Sequence, residues 1–119
     1  RELILGMSRD PQFGPLLMFG LGGIYVEVLK DVSFRLAPLS REEAVDMVRE
    51  IRAYPLLASY RGSAPADEGG IVDALLRISR LSVDFPEIEE LDINPVMVMS
   101  KGRGIRAIDC RMTIAEAGK

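Results

Sequence analysis

The segment ELDINPVMVM, residues 90–99, has the apolar content of a β-strand but carries an acid and an amide in its middle. Asp92 and Asn94 are two positions apart, and side chains two apart on a strand project from the same face. Pro95 follows directly and restricts the backbone beside them. The segment therefore predicts a strand that presents two oxygen-bearing side chains on one face.

The first third of the chain also has the composition of strands. We expect strands over residues 2–8 and 16–20, and a partly alternating strand over 24–31 that continues over 32–39 after a bend. The glycines at 20–23 match neither G-x-x-x-x-G-K-[ST] nor G-x-G-x-x-G, since position 25 is Tyr. They therefore predict a tight turn rather than a phosphate-binding loop.

The middle of the chain changes to a helical period. Ser40 and Glu43 fit the capping box S-x-x-E, and we expect the helix behind them to bend or end at Pro55. A loop is predicted over 60–70, and a second helix from 71 to just before the DFP at 84–86. The apolar stripes of the two helices are Ala44, Val48 and Ile51, and Ile71, Leu75, Ile78 and Leu81.

The end of the chain reads as two strands, 87–99 and 105–112, joined by a turn at 100–104. In an antiparallel pair centred at about residue 102, position 94 lies opposite 109 or 110. Asp109 would then stand beside Asn94, and with Asp92 three oxygen side chains would meet. Oxygen ligands suit Mg²⁺. The alternative is that the Asp-x-Asn pair marks only a solvated sheet edge or a turn cap.

The order of strands, two helices and strands predicts an α+β fold, with two main helices packed on a largely antiparallel sheet. A length of 119 residues allows one domain with one core. We treat residues 1–119 as that single domain.

Composition excludes several classes of protein. The net charge of −3 gives no basic surface for nucleic acid, and no apolar run is long enough to span a membrane. The chain has no histidine, so it holds no Ser-His-Asp triad and no imidazole base. Its single cysteine, Cys110, is expected to be buried and fits a cytoplasmic protein.

Motifs along nearly the whole chain, from about residue 2 to 111, resemble the ATP-grasp domain of the NDP-forming acyl-CoA synthetases, which include the ADP-forming acetyl-CoA synthetases. The resemblance is carried, in the family's order, by DPQFGPLLMFGLGGIYVEVLKDVSFRLAPL (10–39), YRGSAPAD (60–67), FPEIEELDINPVMV (85–98) and AIDCRM (107–112).

The resemblance implies an enzyme that interconverts acyl-CoA, ADP and phosphate with acid, CoA and ATP, through a phosphohistidine supplied elsewhere. It implies ATP or ADP and Mg²⁺ as the bound groups. Asn94 and Asp109 match the magnesium ligands, and Asp92 matches an acidic position near the phosphohistidine at the nucleotide site.

The family's N-terminal half, its shuttle histidine and its CoA-binding portion have no counterpart in this sequence. We therefore predict the C-terminal ATP-grasp lobe of a larger protein, inactive alone, whose partners are the N-terminal ATP-grasp half and the CoA-binding and phosphohistidine domain or subunit. Two functional alternatives remain open, besides that of a purely structural domain. One is a non-catalytic module that senses nucleotide or acyl-CoA, for example in a fused acetyltransferase. The other is an ATP-grasp ligase that makes an acyl-phosphate for an amine acceptor.

Overall fold

The computed structural model describes residues 1–59 and 62–116. Tyr60 and Arg61, which begin the predicted loop and the YRGSAPAD motif, lie outside the described residues. The elements in chain order are β1 (Glu2–Asp10), β2 (Gly14–Leu21), α1 (Ile24–Glu27), β3 (Val32–Leu36), α2 (Arg41–Glu50), a 3₁₀ turn (Tyr54–Leu56), α3 (Glu68–Asp84), β4 (Ile88–Val98), β5 (Ile105–Ala107) and β6 (Cys110–Ile114).

All six strands form one sheet in the order β3-β2-β1-β4-β5, and β6 also pairs with β4. Every pairing is antiparallel. The predicted α+β class with two main helices is therefore confirmed. None of the helices within the described ranges is long and apolar enough to cross a bilayer.

The helices α2 and α3 cover one face of the sheet, and the core lies between them and the strands. Two contacts from β3 show which face this is: the Ser33 hydroxyl donates to the Met47 carbonyl at 2.6 Å, and Arg35 pairs with Glu50 at 2.6 Å. Each large apolar side chain buried there stabilises the fold by about 1.5–3 kcal/mol. The most deeply buried ones are Leu3, Leu5, Leu17, Phe19, Met47, Val48, Ile71, Val72, Leu75 and Val96.

The opposite side of the sheet, here called the open face, is covered by helix only at one end, where α1 packs against β2. It carries the side chains that alternate with the core residues, including Ser8, Met18, Phe34 and Asp92. Phe34 is 47% exposed although it stands in the middle of a strand. This face is therefore where a large apolar surface meets solvent.

The prediction of a strand over 24–31 is wrong, because residues Ile24–Glu27 form the short helix α1. Gly23 has a φ of 66°, and its carbonyl accepts from the Val26 and Glu27 amides at 3.2 and 3.0 Å. The turn folds the chain back so that the Val26 side chain packs over Gly20. Close packing on a glycine has overridden the β-propensity of the segment.

The capping box of α2 is confirmed. The Ser40 hydroxyl accepts from the Glu43 amide at 3.1 Å, and the Glu43 carboxylate accepts from the Ser40 amide at 3.0 Å. Pro55 does not end this helix, because α2 stops at Glu50 and Ile51 is already extended. Pro55 lies instead in the 3₁₀ turn that follows.

Two other boundaries differ from prediction. The second helix begins at Glu68 rather than at 71, because the Asp67 carboxylate caps it by accepting from the Gly70 amide at 3.1 Å. The strand predicted over 105–112 is divided into β5 and β6. Cys110, expected to be buried, is exposed, because it lies on the edge strand β6, in which every residue is exposed.

Candidate functional site

The pairing of β4 with the last two strands determines the site. Asp92 lies opposite Arg111 in β6, and Val96 lies opposite Ala107 in β5. Between these pairs the Asn94 amide donates to the Asp109 carbonyl at 3.0 Å. The predicted placement of Asp109 beside Asn94 is therefore confirmed, and the break between β5 and β6 falls at Asp109.

On its other edge, β4 contains a bulge at this position. Leu3 of β1 pairs with Val96 while Leu5 pairs with Ile93, so Asn94 and Pro95 together oppose the single residue between Leu3 and Leu5. The peptide between Asn94 and Pro95 is cis. A bulge changes which side chains face inward. A bulge is one of the places where a strand tolerates proline, so β4 continues through Pro95 to Val98.

The bulge reverses the burial pattern of β4. Leu91 is buried before it, and Val96 and Val98 are buried after it. Asp92 and Asn94 alternate with Leu91 and Ile93, so they project from the open face, where both are exposed. A carboxylate and an amide can therefore sit in an apolar strand without being buried, which would otherwise carry a large desolvation cost.

A groove of about 320 Å³ runs along the open face from β4 toward β3. Asp92 and Glu90 form its acidic wall, and Met18 and Phe34 form its apolar floor. Gly6 is the cross-strand partner of Asp92 in β1, and a Cβ there would approach the Leu91 carbonyl to 3.3 Å. The glycine thus keeps the groove open beside Asp92.

The three predicted site residues are not equivalent in the structure. Asn94 and Asp109 are direct partners, whereas Asp92 lies two residues away along β4, and its own partner is Arg111. Diagonal neighbours of this kind are typically about 7–8 Å apart. We therefore treat Asn94 and Asp109 as one unit and Asp92 as its neighbour.

The donor set fits a magnesium ion that is shared with a ligand. Within residues 1–59 and 62–116, no cluster of three or more Cys, Asp or Glu side chains could hold a metal ion. Asn94 and Asp109, which a main-chain hydrogen bond holds side by side, would offer two hard oxygen ligands. Mg²⁺ commonly takes one or two carboxylates, several waters and substrate phosphates rather than a full protein cage. Two exposed oxygen donors beside an open groove are consistent with such partial coordination of Mg²⁺ by the protein.

A larger cavity, about 420 Å³, lies away from this face at the start of α3. Three of its polar side chains, those of Tyr54, Asp67 and Glu68, already have structural partners. The Tyr54 hydroxyl lies 3.2 Å from Glu68, Glu68 pairs with Arg49 at 2.7 Å, and Asp67 accepts from the Gly70 and Gly104 amides. We therefore place the candidate site on the open face.

Sequence reasoning missed two residues of the site, Arg111 and Gly6. The predicted register that places position 94 opposite 109 also places position 92 opposite 111. Arg111 could therefore have been identified from the same register. Gly6 could not, because its role depends on which strand lies on the other side of β4.

Residues 1–114 match the ATP-grasp domain family. The chain belongs to that family.

Several curated relatives are ADP-forming acid–CoA ligases. The chain is 58% identical over 116 residues to acetate–CoA ligase [ADP-forming] I of Archaeoglobus fulgidus. The matched region covers 98% of this chain and 17% of the relative. The chain is 51% identical over 114 residues to the beta subunit of acetate–CoA ligase [ADP-forming] I of Pyrococcus furiosus, covering 96% and 48%. The chain thus spans about half of that subunit.

The fold is also similar to a solved structure. Dinucleotide forming acetyl-coenzyme A synthetase 1 of Ca. Korarchaeum cryptofilum matches with a TM-score of 0.89 and 51% identity, over 95% of this chain and 52% of that one. That structure is a complex with coenzyme A and Mg-AMPPCP, with its phosphohistidine segment pointing towards the nucleotide binding site.

Proposed function

We propose that this chain is the C-terminal, nucleotide- and magnesium-binding lobe of an ADP-forming acyl-CoA synthetase. The observation that carries the proposal is the main-chain hydrogen bond that sets Asn94 beside Asp109, two residues from the Asp92 that lines the groove of the open face. The identity of 58% to an ADP-forming acetate–CoA ligase supports the reaction class.

Each residue has a distinct role in this proposal. Asn94 and Asp109 would hold Mg²⁺ through their side-chain oxygens. The ion supplies charge neutralisation for phosphate oxygens, which is the main requirement of phosphoryl transfer. Asp92 would accept a hydrogen bond from the far ring nitrogen of an incoming phosphohistidine and so orient that ring.

The rest of the synthetase would come from other domains or subunits. This chain has no histidine and covers 48% of a β-subunit relative, so the shuttle histidine and the CoA-binding part must lie elsewhere. We propose that they join the open face of this lobe together with the N-terminal ATP-grasp half, and that the lobe alone is inactive.

The test is an activity assay on the full-length parent protein. ATP formation from acetyl-CoA, ADP, phosphate and Mg²⁺ would be measured in the wild type, in Asn94→Ala and in Asp109→Ala. Because a metal ligand contributes several kcal/mol to the transition state, we expect each variant to lose about 100-fold or more in kcat. Asp46→Ala, an exposed acid on α2 on the other side of the sheet, is the matched control.

The outcomes separate the alternatives. Wild-type activity that collapses in both variants but not in Asp46→Ala supports the synthetase and its metal pair. Magnesium-dependent nucleotide binding without turnover of any acyl-CoA would instead indicate a sensing module. Full activity in Asn94→Ala would refute the metal pair.

A further inference from the structure

Arg111 occupies an unusual position on the open face. It lies directly opposite Asp92 on β6, and directly opposed residues of two strands share a face. The next pair along that face is Asn94 with Asp109. A guanidinium group therefore stands beside the two oxygen donors of the proposed metal site, and it is exposed.

The side chain of Arg111 forms no hydrogen bond or ion pair with the part of the chain that the structure describes. Four arginines of the described residues form ion pairs, and they are Arg35 with Glu50, Arg41 with Asp73, Arg49 with Glu68, and Arg80 with Asp84. Arg111 makes no such ion pair, although carboxylates stand opposite it and two positions before it.

We infer that Arg111 binds the phosphoryl oxygens that the site holds. The inference rests on the proposed function and names a residue that it did not include. Two carboxylates, Asp92 and Asp109, would repel a phosphate group unless positive charge is added. Mg²⁺ supplies part of it, and the planar guanidinium of Arg111 supplies two donors whose spacing matches two phosphate oxygens.

The competing explanation is a structural one, in which Arg111 only balances Asp92 across the strands. Opposite charges on paired strands stabilise a sheet modestly. That role predicts a change in stability and no change in the affinity for phosphate-bearing substrates, so the two explanations differ in what a substitution does to KM.

The experiment uses the full-length parent protein with Arg111→Gln, Arg111→Lys and the control Arg77→Gln. Arg77 is an exposed arginine on α3, on the helix-covered side. We expect Arg111→Gln to lose about 10- to 100-fold in kcat/KM, the loss typical for a hydrogen bond to a charged group, and Arg111→Lys to recover part of it. Thermal unfolding of each variant reports structural damage.

Two arms identify which phosphoryl group Arg111 contacts. If Arg111→Gln raises only the KM for ADP, Arg111 contacts the terminal phosphate of the nucleotide. If it raises only the KM for inorganic phosphate, Arg111 contacts the phosphoryl group that is transferred. Binding of Mg-ADP by calorimetry gives a readout that does not depend on turnover.

The inference and the proposed function fail in different ways. If the wild type binds Mg-ADP without turnover and Arg111→Gln weakens that binding, the synthetase is refuted and the arginine contact stands. If the wild type turns over and Arg111→Gln behaves like Arg77→Gln in KM and in binding, the contact is refuted and the synthetase stands. Absence of both turnover and Mg-ADP binding in the wild type refutes both.

Discussion

At the scale of single residues, Asp67 joins two elements that are distant in sequence. One carboxylate oxygen accepts from the Gly70 amide at 3.1 Å in the first turn of α3, and the other accepts from the Gly104 amide at 2.7 Å in the turn before β5. These hydrogen bonds, that of Gly104 first, hold the pKa of Asp67 below its usual value. The ionised form is therefore the one that stabilises the fold.

We expect Asp67→Ala to lower the free energy of unfolding of the 119-residue chain by about 0.5–2 kcal/mol at neutral pH, through the lost helix cap. The folded pKa lies below the unfolded pKa of about 3.9. The contribution of the charge is therefore complete above the unfolded value and is lost as the pH falls through the folded value. Urea unfolding from pH 7 down to pH 3 measures both effects.

Asp46→Ala is the matched control, because Asp46 is exposed on α2 and caps no helix. The difference in the free energy of unfolding between wild type and Asp67→Ala should narrow below about pH 4. The corresponding difference for Asp46→Ala should stay small at every pH. If the difference in the free energy of unfolding between wild type and Asp67→Ala widens in acid, the lowered pKa of Asp67 is contradicted.

At the scale of elements, α1 depends on the absence of a side chain at Gly20. A Cβ at that position would lie 2.9 Å from Val26 Cγ2, 3.0 Å from Val32 Cγ1 and 3.1 Å from the Asp31 carbonyl. Two of these neighbours are stiff β-branched side chains, and the third is backbone, so none can move aside at little cost.

We therefore expect Gly20→Ala to destabilise the chain by about 1–3 kcal/mol, the usual cost of overpacking. Gly69→Ala is the companion variant, since a Cβ in the first turn of α3 would meet only an Asp67 carboxylate oxygen at an ordinary 3.6 Å. It should stabilise the chain by up to about 1 kcal/mol, because alanine favours a helix over glycine. Urea denaturation of both variants checks the pair, and equal effects would argue against the packing of α1 on Gly20.

At the scale of the whole molecule, apolar side chains remain exposed at the end of the sheet where α1 lies. Ile24 is 62% exposed, Val28 is 69% and Leu29 is 57%. We call these three the α1 ridge. Contiguous apolar patches on a protein surface usually mark a contact with another surface.

We expect the isolated chain to self-associate at high concentration through the α1 ridge. The double variant Ile24→Lys and Val28→Lys should lower the weight-average mass measured by light scattering. Phe13→Lys, at the tip of the β1–β2 turn and 63% exposed, should leave the mass unchanged. A wild-type chain that remains a monomer at high concentration would rule this out.

The sequence by itself determined the features that depend on neighbours a few residues away. The capping box of Ser40 and Glu43, the apolar stripes of α2 and α3 and the short turn at 100–104 are all local. A short turn between two strands determines their register, which is why Asn94 could be paired with Asp109 before the fold was known.

The tertiary structure alone decided the features that depend on strands far apart in sequence. The helix α1 replaced a predicted strand because it packs on Gly20, and β4 bulges at Asn94 because β1 pairs along its other edge. That bulge turns Val96 and Val98 toward the core, whereas Asp92 and Asn94, which precede this change, face away from it. Periodicity and capping act within about ten residues, whereas the face on which a side chain emerges depends on which strands are brought together.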